Sequence, residues 1–489
     1  MKKTILSLLT LIICFKATAQ ISNTSISNNS LTISPNGIVD NRTQTLPATS
    51  KYIAIGDSSM FSNVNSDAVV SIGNKSMAKS SGIGYSVAIG DHSMYKSEQG
   101  YGNIAIGSSA LYSTNAFGNV GIGMSALNKN NTGINNLGIG SSVLYENING
   151  IRNLAMGTNA MGNSKSISDC IVIGNGSLYG LNYENANAAP TLNFLAIGNN
   201  VASKYNVPVN YHQMGSYSNI LIGNNSFSNA LSGENNVTLG VNTLLFTTNS
   251  SNNTAIGIEA LRKLQNSIDI IHGSNSAMGH VSLIDLIYGS YNTAVGVASG
   301  NSLIYGNNNT FLGTSSGITG IPAGTYINNS MALGFNSKVN ADNKVVIGDA
   351  GVAQIGGYAT WSNYSDKRLK ENIIYSSDLG LDFIKQLKTV RYNYKEDKNK
   401  KIRDGLIAQD IQEILKKNGW KFSGLIEDND TNHTLNLSYT EFVLPLINSV
   451  QELSRENDKL KKEIQSIQND LKALTDLVKM KDGFTAKSE

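Results

Sequence analysis

Along most of the chain, apolar residues come in short alternating runs that stop at a glycine. Asn103-Ile104-Ala105-Ile106-Gly107 and Asn253-Thr254-Ala255-Ile256-Gly257 are two of them. The closing glycines are Gly56, Gly73, Gly90, Gly107, Gly123, Gly140, Gly157 and Gly174, at steps of 17, 17, 17, 16, 17, 17 and 17 residues. They continue at Gly198, Gly223, Gly240, Gly257, Gly279, Gly296, Gly313, Gly334 and Gly348, at steps of 24, 25, 17, 17, 22, 17, 17, 21 and 14. A recurring 17 with occasional insertions marks stacked repeats rather than one globular core. The alternating, largely β-branched residues before each glycine predict a short strand. The glycine predicts a turn where a side chain would clash or φ is positive. Asn- and Gly-rich stretches fill the next corner. Each unit offers few core side chains, such as Ile106, Ala110 and Leu111, so one unit alone cannot offset its own ordering entropy. Stacking, and association of several chains, would close the open sides.

Beyond Trp361 the pattern changes. Leu379 to Leu387 and Ile407 to Lys416 read as helices, the second with Ile411, Ile414 and Leu415 on one side. Val390 to Tyr394 and Leu435 to Tyr439 read as strands. From Val443 a heptad runs without a break. Its a positions are Val443, Val450, Asn457, Ile464, Leu471 and Val478; its d positions are Leu446, Leu453, Leu460, Ile467 and Leu474. Val at a, Leu at d and Asn457 at an a position lean toward a two-stranded coil.

Composition sharpens the division. From Gln20 to Thr360 there are 13 Lys/Arg and 14 Asp/Glu; from Trp361 to Glu489, a far shorter stretch, there are 22 and 21. Of 47 glycines, 5 follow Trp361. Two kinds of protein are therefore joined near residue 360. The net charge of +3 gives no field for nucleic acid. The array's histidines, His92, His212, His272 and His280, follow no metal-ligand spacing, and its sparse acids show no repeat register, so neither a metal site, a cofactor nor a glycosidase pair is expected there.

Met1 to Ala19 has the parts of a secretory signal: Lys2 and Lys3, an apolar run from Ile5 to Phe15, and Ala17-Thr18-Ala19 before a cleavage that leaves Gln20 first. Cys14 raises the alternative of lipidation, which Ile13, a large residue ahead of it, disfavours. With the leader gone Cys170 is the sole cysteine, and no later segment is apolar enough to cross a membrane as a helix. The expected divisions are 1–19 leader, 20–50 lead-in, 51–360 repeat array, 361–442 mixed module, 443–480 coiled coil and 481–489 tail.

The array resembles the head repeats of trimeric autotransporter adhesins and related phage-type fibres. Ser86-Val87-Ala88-Ile89-Gly90 and Ser125-Ala126-Leu127 carry the likeness. The resemblance implies a parallel β-roll with three chains side by side, although the common head repeat is nearer 14 residues. In the module, Ser365 to Ile373 reads SDKRLKENI, Gly405 to Asp410 reads GLIAQD, and Tyr439-Thr440-Glu441-Phe442 leads into the heptad. This order resembles the endosialidase-type intramolecular chaperone, a self-cleaving serine peptidase family at the ends of tail spikes and bacterial fibres.

That likeness implies a Ser365 nucleophile, a Lys370 general base and cleavage between Tyr364 and Ser365, with Asp366, Arg368, Gly405 and Gln409 as supporting motif positions. Arg368 is a candidate for the cation that would favour a neutral Lys370. The five-residue spacing does not itself bring Ser365 to Lys370 on a helix or a strand. The chain between them must turn, or a second subunit must contribute. The bland alternative is a helix start capped by Ser365.

The expected fold is mostly β: a stacked solenoid fibre, then a small α+β module and a coiled-coil helix. The expected function is a secreted or surface homotrimeric fibre, adhesin-like, with itself as partner, a glycan or surface receptor as ligand, and single-turnover autoproteolysis. The alternatives are a non-cleaving fibre with the module as a trimerisation domain, and a phage-type or glycan-cleaving spike.

Overall fold

The computed structural model describes residues 51–485, apart from 63–64, 181–192, 206–217, 266–272, 323, 360, 377, 396, 398, 429 and 431, together with the backbone of strands Asn23–Ser27 and Ser30–Ser34. The expected leader, Cys14, His212 and His272 lie outside the described residues. The chain divides into two compact units, the first running to Ile347 without Gly320–Pro322, the second formed by Gly348 onward together with Gly320–Pro322.

The first unit is a β-solenoid built on one 19-stranded sheet. From Tyr52–Ile55 to Val345–Ile347 each of its strands lies parallel to the next in sequence, as the 17-residue period predicts. The register is repeat on repeat: Leu137, Gly138 and Ile139 face Leu154, Ala155 and Met156. Asn23–Ser27 and Ser30–Ser34 form an antiparallel hairpin at its head.

The closing glycine is required by the stacking distance. At Gly140 φ is +139°, and a Cβ would stand 2.5 Å from the carbonyl oxygen of Gly157 in the following turn. Turn residues then satisfy their backbone groups along the axis in both directions. Ser142 donates its N–H back to Met124 at 2.8 Å, and Leu144 donates forward to Ala160 at 3.0 Å. Both adopt positive φ, 52° and 50°, and the two-way ladder offsets the cost of that conformation in non-glycine residues.

The core is narrow. Each turn sends in the middle strand residue and a following pair, as Ala105 with Ala110 and Leu111, all fully buried. Ile106 is not a core residue as expected: it is 36% exposed, and Ala105 is the inward one. An I-A-I strand is apolar on both faces, so alternation alone leaves the choice open; the width available inside selects the small residue. Volumes compensate between neighbours. Where the inward strand residue is Phe311, the pair position nearby is Gly300, whose Cβ would stand 2.7 Å from the ring.

Asparagine supplies a buried polar column beside the strands. Asn136 donates to Asn119 Oδ1 and to the Gly150 carbonyl, and its own Oδ1 accepts from the backbone and side-chain N–H groups of Asn153. The same pattern links Asn219, Asn236, Asn253, Asn275, Asn292 and Asn309. Cys170 ends the first block: its N–H donates to Asn153 Oδ1. Charges pair one turn apart on the surface, Lys129 with Glu146 and Arg152 with Asp169.

The second unit has three helices, α1 (Leu381–Gln386), α2 (Ala408–Asn418) and α3 (Val443–Thr485). Two short hairpins accompany them, Val390–Tyr392 with Arg403–Gly405 and Leu425–Glu427 with Leu435–Leu437. Phe383, Ile411, Leu415 and Phe442 form the core, with Trp420 and Phe422 packed on Phe383. Gly419, left-handed at φ +70°, caps α2 through Leu415 and Lys416. Glu452 of α3 accepts the N–H of Leu381 at 2.9 Å and so caps α1. Past that contact α3 continues as a single helix with its heptad positions open, Leu453 48% and Ile467 64% exposed. No helix among the described residues is long and apolar enough to cross a membrane.

Two outcomes follow. Asn136→Ala strands the Asn153 N–H inside the array and should cost about 1–3 kcal/mol, read as a lower thermal midpoint with the β spectrum retained. Burial pushes the Cys170 thiol up to about 12. It should therefore ignore an aromatic disulfide reagent at pH 8 and react fully once the array is unfolded; labelling of the native chain would refute its place in the column.

Candidate active site

The segment between the array and α1 carries the expected nucleophile. Asp366 caps a single 3₁₀ turn, Lys367–Leu369, by accepting the Arg368 N–H at 2.9 Å. The turn ends at Lys370, whose backbone is again extended. That one turn reverses the chain enough to bring the Lys370 ammonium to 2.8 Å from Ser365 Oγ. The spacing alone leaves the two residues apart on a helix and on a strand; a short 3₁₀ turn flanked by extended residues joins them within one chain. The cap of this turn is Asp366, not Ser365, which leaves the serine hydroxyl to the lysine.

Arg368 does not face Lys370 as a spare cation. Its guanidinium forks onto Asp366, with Nη2 to Oδ2 at 2.6 Å. This pairing holds the Asp366 carboxyl below the usual carboxylate range, first through the Arg368 side chain and then through its backbone N–H.

Solvent surrounds the pair. Every residue from Trp361 to Ser376 is exposed, Tyr364 at 96%. A lysine serves as a base only as the neutral amine, which desolvation or a nearby cation favours. In the single chain this segment is open to solvent, and the Arg368 guanidinium is held by Asp366.

The remaining motifs meet elsewhere in the module. Gly405 lies in the Arg403–Gly405 strand, where a Cβ would stand 2.5 Å from Tyr439 Oη. That hydroxyl accepts the Leu406 N–H at 2.8 Å, so the first residues of GLIAQD are tied to the tyrosine that opens the helical segment. Tyr392 and Tyr394 share a hydrogen bond beside it, and Arg403 lies 5.5 Å above the Tyr394 ring. Sequence reading missed this tyrosine cluster; its signal was the V-R-Y-N-Y strand opposite a glycine. Gln409 is exposed in the first turn of α2, away from these contacts. A groove of about 460 Å³ between α1 and α2 is lined by Lys385, Lys388, Asp410, Glu413, Ile414 and Lys417, and includes neither Ser365 nor Lys370. No cluster of three or more potential metal ligands occurs among the described residues.

Residues 365–420 match the model of a peptidase family described as chaperone of endosialidase. The match starts at Ser365 and takes in Lys370, Gly405 and Gln409. It supports a self-cleaving peptidase and intramolecular-chaperone domain in general, here preceded by a solenoid that fits a repeat fibre. Neither the curated proteins nor the solved structures return a match.

The cluster has a spectroscopic signature. The hydrogen bond to Tyr394, with burial next, pushes Tyr392 up to about 12. Any stabilisation from this pairing is complete below the ordinary tyrosine value of about 10 and is lost as pH rises through about 12. Tyr394→Phe should bring one phenol back toward the ordinary range in an ultraviolet titration; an unchanged curve would contradict the pairing.

Proposed function

We propose that the chain is a secreted or surface-displayed homotrimeric fibre whose C-terminal module aligns three chains and then severs itself before Ser365. The observation that carries the reading is the 2.8 Å contact of Lys370 Nζ with Ser365 Oγ inside the family-matched segment.

The chemistry follows from the positions. A neutral Lys370 amine accepts the proton of Ser365 Oγ. The oxygen attacks the carbonyl carbon of Tyr364, which closes a five-membered ring. The Tyr364–Ser365 C–N bond breaks, and the Lys370 ammonium returns its proton to the leaving nitrogen. Tyr364 is then an ester on Ser365. Water hydrolyses it to the Tyr364 carboxylate and the Ser365 hydroxyl, beside the Ser365 amine freed in the previous step. The chain is its own substrate and turns over once.

The exposure of residues 361–376 gives this reading a further part. Neighbouring copies would provide the desolvation that Lys370 needs, so that the cut waits for assembly. The heptad of α3 supports association, because a 43-residue helix with an open apolar seam gains most from partner helices. Slippage by one repeat would pair array strands nearly as well as the true register, and an aligning module prevents it. Its loss after assembly leaves the fibre kinetically trapped. Adhesion to a glycan or surface receptor is the use a repetitive Asn, Ser and Thr surface supports. The same exposure favours a second reading, in which the module aligns chains and no cut follows.

Denaturing gels of wild type, Ser365→Ala and Lys370→Ala separate the two. The first reading predicts a 125-residue fragment beginning at Ser365 from wild type, and a drop of at least about 100-fold in its rate in either variant, as loss of a nucleophile or base entails. Wild type that assembles and stays whole would leave the module as an alignment domain alone.

A further inference from the structure

The groove between α1 and α2 takes its character from helix periodicity. Asp410, Glu413, Ile414 and Lys417 recur at three- and four-residue steps, so one face of α2 presents all four. Lys385 and Lys388 line the groove from the end of α1 and just past it. The floor is apolar, with Ile411 buried, Ile414 half-buried and Ile407 still 37% exposed. None of the five charged side chains has an ion pair or hydrogen bond among the described residues. Three lysines against two carboxylates leave the groove with one cation in excess.

The segment around the candidate nucleophile has the matching character. Leu369, Ile374 and Tyr375 are 70%, 84% and 95% exposed, an apolar strip with nothing folded over it. The side chains of Lys367 and Glu371 beside it make no ion pair or hydrogen bond among the described residues. The chain's own groove does not cover this strip, since no residue from 361 to 376 lines it. The segment instead joins the module at a separate pocket, where Ser376 lies with Phe422, Glu441 and Asn448.

We propose that residues 369–375 of one copy lie in the α1–α2 groove of the next, and that this groove completes the cleavage site. The proposal rests on the trimeric, self-cleaving reading above and adds the surface that finishes it. The groove is of the size that encloses small ligands, about 300–1,000 Å³, so it takes a few side chains of a strand and not a folded domain. The apolar strip covers Ile407 and Ile414 and draws Lys370 out of water. Glu371 answers one groove lysine and Lys367 one groove carboxylate, so the excess cation remains. Burial and a neighbouring cation both favour the neutral amine that serves as base. Lys385, Lys388 and Lys417 are thus positioning residues, acting through Lys370 and not on the scissile carbonyl. Each copy gives one segment and receives one, a head-to-tail contact that closes into a ring of chains. A lone chain holds the two halves of the site apart, so the cut waits for the neighbour.

Cleavage of the full chain, followed as the fragment that begins at Ser365, tests this. Lys388→Glu with Lys417→Glu reverses the groove's charge at two exposed, unpaired residues. It should leave the sedimenting mass unchanged, slow the cut at least about tenfold at neutral pH and move the rate profile to higher pH, where the amine is neutral without help. Lys388→Arg with Lys417→Arg should keep the wild-type rate and profile. The charges that set this profile are Lys385, Lys388, Lys417, Asp410 and Glu413 in the groove and Asp366, Arg368 and Glu371 on the segment. Ile374→Lys, outside the folded core, should slow the cut as well. Mixed assembly then separates the copies. Ser365→Ala chains cannot be cut but offer intact grooves. Refolded in excess with the charge-reversed chains, they should speed the appearance of fragment several-fold, and they should do nothing for Ile374→Lys chains. If wild type is cut and both variants keep its rate and profile, the groove is refuted and the dyad stands. If the charge-reversed chains are slow and mixing does not speed them, the exchange between copies is refuted. If assembled wild type is never cut, the cleavage reading falls and takes this one with it.

Discussion

The stacking distance between successive turns governs this molecule. It leaves no room for a Cβ where the strand ends, so Gly140 and its equivalents abut the next turn's carbonyl. The same distance lets Asn136 reach both Asn119 and Asn153 and lets Lys129 meet Glu146. A solenoid of this width has little core per turn. Its stability comes from repetition along the axis, through backbone ladders and asparagine amides as much as through apolar burial.

Much of this was legible in the residues. The glycine period gave the turn, the β-branched runs gave the strands, and the unbroken heptad gave the long helix. The side of the strand that faces in was not, because Ile104, Ala105 and Ile106 are apolar on both sides and only the interior width decides. The asparagine column was misread in kind: Asn signals a corner by propensity, yet Asn119, Asn136 and Asn153 are buried and bond across turns. In the module, α1 and α2 lie where the pattern placed them. The strands Arg403–Gly405, with no apolar residue, and Leu425–Glu427, with two apolar residues side by side, show no alternation that would declare them.

The candidate site was legible as a motif and not as a geometry. Ser365 and Lys370 meet because Asp366 caps a 3₁₀ turn between them, and five-residue spacing carries no hint of that. Arg368 had the right charge to influence Lys370, but a carboxylate two residues away takes its guanidinium. The module's folded core, around Phe383 and Phe442, involves none of these side chains. In the proposed mechanism the hydrogen-bonded Ser365 and Lys370 lie on an open segment that still needs walls. Chains brought side by side would supply walls and partners alike.

The most direct measurement of that link is the rate of chain cleavage during refolding across a hundredfold dilution series, with the fragment identified by its mass and first residue. If assembly completes the site, the fragment begins at Ser365, and its appearance slows steeply as the chains are diluted. A fragment that forms at the same rate at every concentration would show that a single chain holds a finished site, and the absence of any fragment from assembled chains would contradict the maturation account itself.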